Sequence, residues 1–141
     1  GLPTETDEEI WETIGINIRM KADFPRGAIF TPMPNTKIVE LAIAHGYLEA
    51  SFSYEDIPQT ILDRTVLKGV DQDRIQNTLF FFQTAVLFPR SHRLLKRLIR
   101  WRPNLIFRFW FFLVYAYLHR KFEGRALLSY IKFLFVNRKY V

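Results

Sequence analysis

GLPTETDEEIWETIGINIRMKADFPRGAIFTPMPNTKIVELAIAHGYLEA, residues 1–50, is the stretch on which the fold turns. Thr6 and Glu9 stand three apart, the spacing at which each side chain bonds the other residue's backbone N–H. Asp7, Glu8, Glu9 and Glu12 put negative charge where a helix dipole favours it. Ile10, Ile14 and Ile18 recur every four residues with Trp11 beside them, which predicts a helix running to Met20. After Asp23-Phe24-Pro25-Arg26-Gly27, the apolar run Ala28-Ile29-Phe30-Thr31 is stopped by Pro32 and Pro34 and reads as one buried strand ending in a rigid turn. Asn35 or Thr36 caps a second helix with Ile38, Leu41 and Ala42 inward, and Gly46 ends it ahead of Tyr47 and Leu48. Loop, helix, strand, helix is the rhythm of an α/β unit, yet a single strand cannot make a sheet.

The remainder reads as helical. Residues 49–70 are mixed, with a short helix near Ile57–Leu67. Asp71 is an N-cap, followed at helical spacing by Ile75, Leu79, Phe82 and Val86 until Pro89. A basic amphipathic stretch spans Ser91–Arg102, with Leu94, Leu95, Leu98 and Ile99 on one side and Arg93, Lys96, Arg97 and Arg100 on the other. Pro103 breaks it; Asn104–Lys121 and Arg125–Asn137 form two further helices parted near Glu123-Gly124. The expected class is α+β, mainly α, in two parts: 1–50, and a basic, aromatic helical extension over 51–141.

At 141 residues, with 49% hydrophobic and 24% charged, the chain has the proportions of one folded domain. Its charge is divided. Residues 1–80 hold seven Lys/Arg against thirteen Asp/Glu; residues 81–141 hold thirteen against one, Glu123. The absence of cysteine rules out disulfides, thiolate zinc sites and thiolate-held iron–sulfur clusters built from these residues. The chain opens at Gly1 with no Met, basic n-region or signal-like stretch, so it is not expected to be a complete secreted precursor. His45, His92 and His119 show no metal-ligand spacing and read as surface or helix-end residues. Asp7-Glu8-Glu9 reads as a capped helix start rather than paired catalytic carboxylates, and no Walker loop or nucleophile elbow is present.

Two motifs carry a resemblance. Gly1-Leu2-Pro3-Thr4-Glu5-Thr6 precedes an acidic helix start, and Ile29-Phe30-Thr31-Pro32-Met33-Pro34-Asn35-Thr36 precedes a helix ending His45-Gly46-Tyr47-Leu48. In this order and spacing they resemble the last strand–helix units of the radical S-adenosylmethionine (SAM) barrel. More narrowly, they are similar to the iron–sulfur oxidoreductases that carry a cobalamin-binding domain upstream. In that family a Gly-Leu-Pro-Gly-Glu-Thr loop follows the fifth strand and a Thr-Pro-Tyr-Pro-Gly-Thr turn the sixth. The resemblance covers residues 1–50. Here Thr4 and Asn35 stand where Gly is usual, and Met33 where Tyr is common. Asn tolerates left-handed backbone, so the second turn survives, whereas a β-branched Thr4 calls for a changed first turn.

The resemblance implies the C-terminal part of an enzyme whose [4Fe-4S] cluster cleaves S-adenosylmethionine reductively to a 5′-deoxyadenosyl radical, for radical modification or methylation of an unknown, lipid-like substrate, with cobalamin as a further cofactor. The family holds that cluster with a CxxxCxxC loop, which this chain lacks, so the cluster site and a partner region would lie upstream in the same polypeptide. Carried over, Gly1, Leu2 and Pro3 would lie beside the adenine and amino-acid portions of the cofactor, and Ile29 and Phe30 would line its adenine side. Glu5 and Thr6 would hold the loop and cap the helix, which turn structure alone also explains. No catalytic or metal-ligating residue is assigned within the chain.

Phe107, Phe109, Trp110, Phe111, Phe112, Tyr115 and Tyr117 crowd one segment among Arg102, Arg108, Arg120 and Lys121. The uncharged run Phe109–Leu118 is far short of the ~20 residues that span a bilayer. Three readings stand for this tail: a helical cover on the missing barrel, interfacial attachment to an anionic membrane, and nucleic-acid binding, which no recognised motif supports. The competing class for the whole chain is a non-catalytic amphipathic module docking on a membrane or a partner protein. The expected location is cytoplasmic, peripheral to the inner membrane face. The purified chain is expected to retain no iron after desalting and to leave S-adenosylmethionine intact; retained iron with visible charge-transfer absorbance would contradict this.

Overall fold

The computed structural model describes residues 1–58 and 64–123. Its α-helices among these are α1 (Asp7–Arg19), α2 (Lys37–Ala44), α3 (Gln72–Leu87), α4 (His92–Leu98) and α5 (Leu105–Glu123). Single 3₁₀ turns lie at Tyr54–Asp56 and Pro89–Ser91.

Local chemistry sets the helix ends. Thr6 and Glu9 close the expected capping box, the Thr6 N–H donating to Glu9 Oε2 at 2.7 Å and the Glu9 N–H to Thr6 Oγ1 at 3.3 Å. Asp71 accepts from the Arg74 N–H at 3.0 Å, and Asn104 Oδ1 from the Phe107 N–H at 3.0 Å. Gly46, at φ +75°, ends α2 as expected: its N–H bonds Ile43 and the Tyr47 N–H bonds Ala42, the paired bonds of a Schellman motif. Helix α1 ends the same way on Lys21, at φ +53°.

The expected strand does not form. Among the described residues there is no β-structure, and Ala28–Thr31 has no assigned regular structure. A strand exists only with a neighbour to take its backbone groups, and these residues supply none. The Phe30 carbonyl instead accepts from Thr65 Oγ1 at 3.2 Å. The short helix expected near Ile57–Leu67 falls in part on residues 59–63, outside the described residues, as does the one expected at Arg125–Asn137. In α2 the inward positions are Val39 and Ala42, while Leu41 faces out, because the packing partners Leu48 and Leu67 meet the other side of the helix.

The larger core joins α1, α3, α4 and α5 through Ile14, Phe80, Phe81, Ala85, Val86, Leu95, Ile99, Phe107 and Phe111. A smaller one packs Val39, Ala42 and Leu48 with Leu67. Both cores draw on residues either side of position 50. Three polar side chains of α3 are also buried, and each anchors another segment. Gln83 Nε2 donates to the Pro25 carbonyl at 3.1 Å, and Thr84 Oγ1 accepts from Trp110 Nε1 at 2.9 Å. Asn77 Nδ2 donates to the carbonyls of Ile99 (3.3 Å) and Trp101 (2.6 Å), closing the open C-terminal end of α4. Asn77→Ala removes both bonds without overfilling the site, so it should lower stability by about 1–3 kcal/mol in urea unfolding at unchanged m. A loss within about 0.5 kcal/mol, the ordinary range for surface changes, would contradict the anchoring role.

Candidate functional site

Two turns of the same design stand ahead of α1 and α2. In Leu2-Pro3-Thr4-Glu5, the Glu5 N–H bonds the Leu2 carbonyl at 3.1 Å, proline takes the second position, and Thr4 takes the third at φ +69°. These are the requirements of a type II turn. In Met33-Pro34-Asn35-Thr36, proline again precedes a left-handed residue, Asn35 at φ +65°, and Thr36 Oγ1 donates to the Met33 carbonyl at 2.7 Å. Both positions where the radical SAM family carries glycine are therefore left-handed. The altered first turn expected from a β-branched Thr4 does not occur: Thr4 keeps the glycine-like backbone. The Glu5 carboxylate helps to hold it, accepting from the nitrogen atoms of Gly1 and Leu2.

The segments ahead of these turns meet at one cleft of about 240 Å³. Gly1 and Glu5 form one side and Gly27, Ala28 and Ile29 another, with Ile75, Leu79 and Phe82 of α3 between them. Ile75, Leu79 and Phe82 recur at four- and three-residue steps, so they form one ridge of the helix. A Cβ placed on Gly1 would lie 3.2 Å from Ile75 Cγ2, and one on Gly27 would lie 3.4 Å from both Leu79 Cδ1 and Phe82. The two loops thus lean on successive turns of α3. Sequence spacing marked this ridge as one face of a helix and missed its place in a cleft, because nothing local tells which segment a helix face meets.

Of the residues singled out from the sequence, Gly1 and Ile29 line this cleft together. Leu2 lines a neighbouring depression with Thr4, Glu5 and Arg74. Pro3 is half-buried at its turn. Phe30 points elsewhere and packs against the Val39–Leu67 core. The polar groups lining the cleft are largely engaged: Thr13 and Thr78 hydroxyls donate to carbonyls four residues back, and Asn17 Nδ2 does the same. Arg26 stacks its guanidinium 4.5 Å from the Phe24 ring centre and donates to His119 Nε2 at 3.3 Å. His119 is thereby buried rather than at the surface, enclosed by Phe24 and Tyr115. His92 is half-buried, its ring donating to the Ala85 carbonyl at 2.8 Å, while His45 sits at the end of α2 as expected.

Two exposed carboxyls away from the cleft are shifted by their hydrogen-bond partners. The Thr6 backbone N–H and then its hydroxyl hold the exposed Glu9 carboxyl below its ordinary range, and the ion pair with Lys68 does the same for Glu49. Asp7 is paired with Arg74 rather than with a second carboxylate. Among the described residues no group of three or more His, Cys, Asp or Glu is placed to hold a metal ion. What the cleft offers is an apolar wall, with Gly1 and Gly27 packed closely on α3 at its edges. No protein-family model, curated protein or solved structure matches the chain.

The left-handed turns give a direct test. A non-glycine residue in this region costs roughly 1–2 kcal/mol, so Thr4→Gly should stabilise the protein by about 0.5–1 kcal/mol despite the added chain entropy. Asn35→Val should lose about 1 kcal/mol. Chemical denaturation midpoints measure both; a Thr4→Gly variant less stable than the parent would show that Thr4 does not adopt this backbone.

Proposed function

We propose that this chain supplies the last strand–helix units of a radical S-adenosylmethionine barrel, of the group with a cobalamin-binding domain upstream, followed by a helical extension. The observation that carries the reading is the backbone at Thr4 and Asn35. Both take the left-handed conformation at the two positions where the family's motifs have glycine, Asn35 with a side chain that tolerates it and Thr4 with a β-branched one that opposes it. The convergence of Gly1 and Ile29 on one cleft supports it further, since in the family the corresponding loops border the cofactor together.

In this reading Ala28–Thr31 finds its ladder partners in the barrel strands that the rest of the polypeptide provides. At about 240 Å³ the cleft is smaller than the roughly 300–1,000 Å³ usual for small-molecule sites, as one wall of a larger site would be. S-adenosylmethionine, when bound, supplies the radical chemistry; the residues present here bind and orient. Gly1, held against Ile75, would border the cofactor through its backbone, and Ile29, which is buried here, would back the apolar wall on the adenine side. The cluster does not fit these residues, which include no thiolate, so no part of its chemistry is assigned to them. The parent protein would act as an oxidoreductase or methyltransferase on an apolar substrate.

The reading frame ahead of the Gly1 codon tests this proposal. A CxxxCxxC about 100–200 residues upstream, roughly one domain away, is expected. The longer protein, reconstituted anaerobically with iron and sulfide, should release 5′-deoxyadenosine from S-adenosylmethionine. Ile29→Ala in that protein should raise the KM for S-adenosylmethionine with cluster absorbance and helical circular dichroism unchanged, because it trims the apolar wall without burying a charge. An initiator Met directly ahead of Gly1, or an upstream sequence without the cysteine motif, would overturn the proposal.

A further inference from the structure

Helix α5 is apolar on the wrong side. Its inward face, Phe107, Phe111, Val114 and Leu118, is buried against the rest of the protein. The opposite face of a helix at a protein surface normally carries charge. Here Leu105, Ile106, Phe109, Leu113 and Tyr117 occupy it, with Leu105 82%, Ile106 76% and Phe109 63% exposed. Trp110 adds an exposed indole edge while its N–H is held by Thr84. From Leu105 to Tyr117 the only charged residue is Arg108, which lies on the flank. At 1.5 Å per residue the outward stripe is about 18 Å long. A contiguous exposed apolar surface of this kind marks an interaction site.

The charge around the stripe selects the partner. Residues 74–122 contain no Asp or Glu, while Arg90, Arg93, Lys96, Arg97, Arg100, Arg102, Arg108, Arg120 and Lys121 are all exposed within them. Arg102 precedes the stripe, and Arg120 and Lys121 follow it. Trp101, also exposed, lies just ahead of α5, its ring stacked on Phe107. A second copy of the chain would bring the same positive flanks against each other. A nucleic acid would find phosphate partners only at the margins, and Leu105, Ile106 and Leu113, interleaved with the exposed rings, offer neither its bases a stacking face nor its backbone a partner. No helix among the described residues is long and apolar enough to cross a membrane. We propose that α5 lies in the plane of an anionic lipid surface, its Leu105–Tyr117 face inserted to the level of the acyl boundary and the arginines and lysines beside it on the headgroups. This inference rests on α5 and its flanks and does not depend on the barrel reading.

The test uses the full chain with vesicles of phosphatidylcholine alone and of phosphatidylcholine with about one-third phosphatidylglycerol. Flotation should recover the protein with the anionic vesicles, with binding at least about tenfold weaker to the neutral ones. Raising the salt to about 0.5 M should weaken anionic binding by a similar factor. Tryptophan emission should shift to the blue on binding, and the shift should persist in Trp11→Phe, leaving Trp101 and Trp110 as its source. The triple variant Leu105→Glu, Phe109→Glu, Leu113→Glu changes only outward positions; it should keep the parent's helical circular dichroism and lose vesicle binding. Arg102→Gln with Arg108→Gln, which leaves the stripe intact, should reduce the preference for anionic vesicles. Absence of binding to anionic vesicles overturns the proposal, and so does binding that survives the triple variant. A concentration-dependent dimer, abolished by Phe109→Glu and formed without vesicle binding, also overturns it.

Discussion

Eight positions of α3 between Asn77 and Val86 are buried, and so many near-consecutive positions cannot lie on one stripe of a helix. The helix must therefore be covered from several directions, and the placement of α1, α4 and α5 follows from that need. Phe81 meets Phe107, Phe80 meets Phe111, and Ile14 joins the same core from α1. Burying the amide nitrogens of Asn77 and Gln83 and the Thr84 hydroxyl would cost free energy were these atoms not bonded. Their bonds run to the Pro25 loop, to the end of α4 and to Trp110, so each polar group also fixes where a neighbouring segment lies. The ridge left over on α3, Ile75 to Phe82, becomes the wall against which the Gly1 and Gly27 loops rest.

Features governed by a few adjacent residues were legible in the sequence. The Thr6–Glu9 capping box, the Asp71 cap and the Gly46 ending depend on local backbone chemistry and appear where their residues predict them, whereas the stretch expected to run from Ser91 to a break at Pro103 is helical only to Leu98. Features that depend on a distant partner were not. The apolar run Ala28–Thr31 has strand composition but no ladder partner among the described residues. Val39 rather than Leu41 faces inward because Leu48 and Leu67 lie on that side, and His119 is buried because Phe24 and Arg26 fold over it. Thr4 is the sharpest case. Its side chain argued for a changed turn, yet Pro3 before it and the Glu5 bonds around it hold the left-handed geometry.

The candidate site was legible only in part. Gly1 and Ile29 were marked from the two motifs and do share a cleft, whereas Phe30 serves the smaller core and Leu2 a neighbouring depression. The α3 ridge was visible as a periodicity without a destination. On α5 the composition showed a crowd of aromatic residues, but which of them face outward depends on how the helix docks on α3. That docking separates Phe107 and Phe111, which are core, from Phe109, which is surface.

The account stands or falls on the two turn-bearing loops leaning side by side on α3. Methyl-resolved NOE spectroscopy of the full chain measures this directly. Cross-peaks from the Gly1 α-protons to the Ile75 γ2 methyl, and from the Gly27 α-protons to the Leu79 δ1 methyl, are the predicted result, given Cβ positions 3.2 and 3.4 Å from those carbons. If Ile75 and Leu79 show no contact with either loop while the Asn77 side-chain amide still reports a folded α3–α4 junction, the shared cleft does not exist, and the site built on it is contradicted.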